Sequence, residues 1–127
     1  MTPIEQVIQL ARDADAKLSV SFDAPDVLPF TSAAIAIIEK NPLLQPEFEA
    51  AFLDMPGYAP PEFVEVCMHA FRWPNVKHEF EARCRAAVAK NDWRAEPVYR
   101  HYLEAFEPEW EDAKDFYASY FSARNEP

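Results

Sequence analysis

Pro61-Glu62-Phe63-Val64-Glu65-Val66-Cys67-Met68-His69-Ala70-Phe71-Arg72-Trp73-Pro74 is the stretch on which the fold turns. Phe63, Val64, Cys67, Met68 and Phe71 recur at steps of three and four, which is the period of a helix with one apolar face. Proline opens the segment, where its missing N–H would have had no helical partner. The glutamate after it complements the positive end of the helix. Arg72-Trp73-Pro74 ends this helix and starts another, in which Val76, Phe80, Cys84, Ala87 and Val88 form a second stripe up to Lys90. Asn91-Asp92 then breaks the run.

The same grammar extends outward in both directions. Thr2-Pro3-Ile4-Glu5 is a capping box with proline inside it. Ile4, Val7, Ile8, Ala11, Ala14 and Leu18 form the stripe that follows. Ser32 to Lys40 carries Ile35 and Ile38 and stops at Asn41-Pro42, while Pro46 to Asp54 carries Phe48 and Phe52 and stops at Met55-Pro56-Gly57. A sixth helix uses Val98, Tyr102, Leu103 and Phe106, and a seventh uses Trp110, Ala113, Tyr117, Tyr120 and Phe121 behind Pro108-Glu109. Leu18-Ser19-Val20-Ser21-Phe22 alternates, which predicts a short extended segment. The expected fold is therefore an all-α single domain over residues 1–127, with six to seven short antiparallel helices in a compact bundle or in HEAT-like stacked helical hairpins. The proline-glutamate-aromatic starts at Pro46, Pro61 and Pro108 lie 15 and 47 residues apart, so no regular repeat period supports a strict array.

Composition narrows the function. The single glycine, Gly57, rules out a phosphate-cradling loop, a dinucleotide fingerprint and a Gly-x-Ser-x-Gly elbow. Half of the 127 residues are apolar, enough for one packed core. The formal charge is −10, unevenly spread: residues 1–70 carry 11 acids and 3 bases, residues 71–100 carry 4 and 7, and residues 101–127 carry 7 and 2. Such a chain disfavours direct contact with nucleic acid, itself a polyanion, and favours a basic protein partner. Acids that serve solubility alone are the plainer alternative. The N-terminus has no basic segment followed by an apolar one, no apolar run reaches the roughly 20 residues of a membrane span, and two cysteines make no disulfide framework. A cytoplasmic location without membrane contact, and with reduced thiols, is expected.

Cys67, His69, His78 and Cys84 suggest zinc by composition. Their helical spacing argues otherwise, because Cys67 and His69 point to opposite sides and both cysteines fall on apolar stripes. His78-Glu79 lacks the second histidine of a metalloprotease helix, since position 82 is Ala82. Glu65 and His69 share a helix face without the paired Glu-x-x-His of a di-iron bundle. No serine or cysteine stands in a recognisable nucleophile context. The expectation is no cofactor and no catalysis, with a metalloprotein or small enzyme using these four residues as the alternative.

The C-terminal third reads as a recognition surface. Nine of the 18 aromatic residues lie between Trp93 and Phe121. They are spread around two helices, and Tyr99 and Phe116 fall off the assigned stripes. Among them, Glu107, Glu109, Glu111, Asp112 and Asp115 crowd one helix start. Aromatic rings mixed with acids suit a cationic protein surface. Tyrosines standing at the core margin, with wet hydroxyls, are the alternative. Glu107, Glu109, Glu111 and Asp112 as steering charges, with Trp110 and Tyr117 as exposed anchors, are the expected contacts.

Phe63 to Phe121 also carries a resemblance. Cys67-Met68-His69-Ala70-Phe71-Arg72-Trp73-Pro74, Asn91-Asp92-Trp93, Pro97-Val98-Tyr99, Leu103-Glu104-Ala105-Phe106 and Trp110-Glu111-Asp112-Ala113 together resemble small acidic HEAT-like proteins among the immunity proteins of bacterial polymorphic toxin systems. The resemblance covers a little under half of the chain, and its most distinctive element is the Arg-Trp-Pro junction. It implies a protein that binds and occludes a cognate toxin, often a nuclease with a basic active-site face, and it transfers no binding residue. Two further classes stay open: a nucleic-acid mimic, whose line of acids the basic stretch 71–100 would interrupt, and a structural subunit of an obligate assembly.

Overall fold

The computed structural model describes residues 1–125. Eight α-helices follow one another: α1 Pro3–Ser21, α2 Leu28–Lys40, α3 Gln45–Asp54, α4 Pro61–Phe71, α5 Pro74–Ala89, α6 Ala95–Glu104, α7 Glu111–Asp115 and α8 Ala118–Asn125. Short 3-10 turns over Ala24–Val27, Pro42–Leu44 and Met55–Gly57 join the early ones, and the described residues contain no strand. No single helix among them is long and apolar enough to cross a membrane.

Proline fixes the helix starts, as its geometry requires. Pro3, Pro61 and Pro74 are the first residues of α1, α4 and α5, and Pro46 is the second of α3. The Thr2 hydroxyl accepts the Glu5 N–H at 3.1 Å, which is the N-cap half of the capping box, and donates to the Glu5 carboxylate. Two helices end on a non-glycine residue in the left-handed region: Phe22 closes α1 and Arg72 closes α4, each returning its N–H to the carbonyl four residues back. After Arg72 only Trp73 intervenes before Pro74 opens α5.

The helices lie in two rows. α1, α3 and α5 are neighbours in one row and α2, α4 and α6 in the other; α1 packs on α2 and α5 on α6. α1–α2 and α5–α6 are thus two packed hairpins, and α3 and α4 lie between them in separate rows. α4 is the centre of the molecule. It lies between α2 and α6 and meets α3 through the stacked Phe52 and Phe63 rings, 6.1 Å apart. The α7–α8 segment covers it through His69, which lies 5.1 Å from Trp110 and 4.8 Å from Phe121. All seven residues from Phe63 to His69 are consequently buried, where an amphipathic helix would bury only one face.

Four sequence expectations are corrected. Leu18–Phe22 is not extended: α1 continues through Ser21, with Leu18 buried and Ser19 and Val20 in solvent, and stops only at left-handed Phe22. The seventh helix is two. The Asp112 carbonyl accepts both the Phe116 and the Tyr117 N–H, at 2.9 and 3.2 Å, which breaks the chain between α7 and α8 and swings Tyr117 inward. Pro108-Glu109-Trp110 lies in the turn before α7 and opens no helix. On α5, Val88 is exposed and Cys84 half-buried, because the stripe leaves the core after Phe80 except at Ala87.

Candidate functional site

After α6 the chain makes a chain of three-residue turns: Ala105, Phe106, Glu107 and Trp110 each donate to the carbonyl three residues back. Ala105, Phe106 and Trp110 are buried and pin this segment to the core. Its acids therefore point outward, and Glu111 and Asp112 occupy the first turn of α7, where the helix end favours negative charge. Glu104, Glu107, Glu109, Glu111 and Asp112 with Trp110 line one depression of about 340 Å³.

At Asp112 this depression meets a second, of about 400 Å³. α4 contributes Pro61, Glu62 and Glu65 to it, α6 contributes Pro97, Val98 and His101, and the α7–α8 joint contributes Phe116 and Tyr117. Together the two depressions are lined by seven acidic side chains, those of Glu62, Glu65, Glu104, Glu107, Glu109, Glu111 and Asp112, with Asp112 common to both. The bases paired with them among the described residues are the imidazole of His101, 3.5 Å from Glu104, and the Lys114 ammonium, 3.8 Å from Glu109. Both pairs are exposed and contribute little.

Glu65 sets the groove's electrostatics. It is 8% exposed, and burial, reinforced by Glu62, Asp112 and Glu104, pushes its carboxyl up to about 8. Burial raises Asp112 as well, helped by Asp115 and Glu104 and opposed by His101. The Tyr102 and Tyr117 phenols are raised by burial first and by the Glu65 charge second. The result is a concave, partly apolar surface on which negative charge is desolvated and poorly compensated, suited to holding an organic cation.

The expected contacts divide into two groups. Glu107, Glu109, Glu111 and Asp112 come together as anticipated, on one wall of the groove. Trp110 and Tyr117 are corrected as exposed anchors: they are 5% and 2% exposed. Their rings lie 5.6 Å apart and Trp110 closes over His69, so they support the groove from the core side. The accessible ring in the groove is Phe116, 49% exposed, one of the two that fell off the stripes. The other, Tyr99, packs between Phe80 and Tyr102. Glu62, Glu65 and Glu104 belong to the groove and were not among the expected contacts. Glu65 does carry a sequence signal, as an acid inside the otherwise apolar run from Phe63 to Met68.

The four residues of the metal alternative do not converge. Cys67 is fully buried, with its thiol pushed far up by desolvation. The Cys84 thiol faces the Glu96 carbonyl at 4.0 Å, and His78 lies in solvent beside Glu81. The buried ring of His69 has Nδ1 2.8 Å from the Ala105 carbonyl, which can only accept, so Nδ1 carries the proton. Burial lowers its basicity against the opposing effect of that hydrogen bond, and the ring is a neutral tie between α4 and the end of α6. Among the described residues no three His, Cys, Asp or Glu side chains are arranged to hold a metal ion. No protein-family model, curated protein or solved structure matches the chain.

Proposed function

We propose that this protein is a non-catalytic recognition module that binds a basic protein through the α4–α6–α7 groove, and that it acts as an immunity protein by covering the active face of a basic toxin. One observation carries the reading: seven acidic side chains line two adjoining depressions that share Asp112, with two weak, exposed basic partners between them. Charge of one sign gathered in a concavity steers an oppositely charged macromolecule and fixes its orientation. Occluding an active face requires no reacting group from this chain. The resemblance of residues 63–121 to acidic immunity proteins points the same way.

Tagged protein recovered from its native cells is the test, run beside a Glu107→Lys/Glu111→Lys variant. A strongly basic protein should be retained by the first and lost by the second, with release as salt is raised, since a Debye length of about 8 Å at physiological ionic strength screens steering charges. Expressed alone, that protein should arrest growth, and co-expression of the wild-type chain, not the variant, should restore it. A retained partner that is neutral or acidic, or one held equally by the charge-reversed chain, rejects the reading.

A further inference from the structure

We propose that the inner depression, floored by Glu62 and Glu65 and walled by Phe116 and Tyr117, is the receptor for one arginine side chain of the partner. This rests on the basic-partner reading and names the group that reaches the bottom of the groove. The first ground is Glu65 itself. The residue is 8% exposed, lines the depression, and makes no hydrogen bond or ion pair among the described residues, and its carboxyl oxygens keep a small contact with solvent. A carboxyl with so little water around it is poorly hydrated, and a donor entering from outside supplies hydrogen bonds that the fold does not.

The second ground is shape. About 400 Å³ accommodates a guanidinium and its three-carbon stem. Pro61, Pro97 and Val98 offer the stem an apolar wall beside the acids. The half-exposed Phe116 ring, backed by Tyr117, offers a π face to a flat cation. The third ground is the balance of acceptors. Glu62, Glu65 and Asp112 supply carboxylates from two helices, and the five N–H groups of a guanidinium match several acceptors at once where an ammonium has three. A divalent ion is a poor fit, because these acids do not assemble as a metal-ligand set among the described residues.

Proton linkage follows from the same geometry. Glu65 faces Glu62 on its own helix, His101, Tyr102 and Glu104 on α6, and Asp112 and Tyr117 beyond. Because these surroundings keep its carboxyl protonated up to a pH of about 8, an entering cation expels the proton. Affinity then rises with pH up to that value and levels off above it.

The experiment uses the full chain and propylguanidinium as probe, with butylammonium as comparison, followed by amide chemical shifts. Saturable shifts at Glu62, Glu65, Val98, Asp112 and Tyr117 are expected, with binding about fivefold tighter at pH 8 than at pH 6. Glu65→Gln should weaken the guanidinium about tenfold and abolish the pH dependence. Val98→Trp, which fills the apolar wall and leaves every charge in place, should block the probe as well. Unsaturated shifts spread over all surface acids overturn the proposal, as does a Glu65→Gln chain that binds like the wild type, or an ammonium that binds as well as the guanidinium. The two readings fail separately. A captured basic partner held equally by wild type and Glu65→Gln overturns the arginine receptor and leaves the module standing. Propylguanidinium binding without any basic partner does the reverse.

Discussion

Glu65 makes the free protein's stability depend on pH in an unusual direction. Most acids in folded proteins sit below their unfolded values; this one is raised from 4.5 to about 8. Between those values the folded chain holds a proton that the unfolded chain has released, so stability falls as pH rises through the window. The loss begins near the unfolded value and is complete above about 8. Glu65→Gln, which stays neutral, should therefore gain on the wild type by a few kcal/mol on going from about pH 4.5 to above pH 8. Thermal melts of the two proteins across that range measure it, and a constant difference in melting temperature would show that the carboxyl ionises freely. His69 acts on the other side. Its lowered basicity means that the unfolded chain takes up a proton first as pH falls below the ordinary histidine value, so the stability it supplies is lost on acidification. Along the chain these two residues are four apart, and that spacing was legible; which carbonyls and carboxylates surround them was not, since Ala105 and Asp112 arrive from 36 and 47 residues away.

At the level of elements, local chemistry was the readable part. Pro3, Pro61 and Pro74 start helices because a first-turn proline is favourable whatever the surroundings. The stripe Val7, Ala11, Ala14, Leu18 was readable because its period is long enough to be unambiguous. What failed was decided by distant contacts. Trp110, Ala113, Tyr117 and Phe121 fit one continuous helix, but docking of Tyr117 against α4 breaks it at Phe116. Five alternating residues at Leu18–Phe22 were too few to separate a strand from a helix end. The acids at 107–112 were found because outward acids answer to local rules, whereas the burial of Trp110 depends on His69, remote in sequence. α8 is fastened in two ways of unequal strength. Phe121 is buried edge-on against His69, and Phe121→Ala should cost about 3 kcal/mol by denaturant unfolding. The Arg124 guanidinium reaches both Glu39 oxygens, at 2.9 and 3.3 Å, from a partly exposed site, so Arg124→Ala should cost about 0.5 kcal/mol and show as faster amide exchange confined to α8. Equal losses for the two variants would contradict the burial that separates them.

At the scale of the whole molecule, like charges gathered in the groove work against the fold that displays them. With a net charge of −10 and acids crowded at one end, added sodium chloride should raise the melting temperature of the free protein while weakening its hold on a basic partner. The two trends are measured on the same samples, by calorimetry and by binding, and trends of equal sign would mean that the groove charges do not govern both. Neutralising Glu107 and Glu111 together should mimic salt: a more stable chain that binds less well. The three tryptophans fall in three different settings: Trp73 at the α4–α5 turn is 6% exposed, Trp110 under the acid wall is 5% exposed, and Trp93 before α6 is 76% exposed. Their emission is thereby divided in advance, with Trp93 open to a dissolved quencher and the two sheltered indoles shielded from it. Light from Trp110 then reports whatever settles over the carboxylates beside it, so the protein arrives with its own unlabelled optical gauge of occupancy.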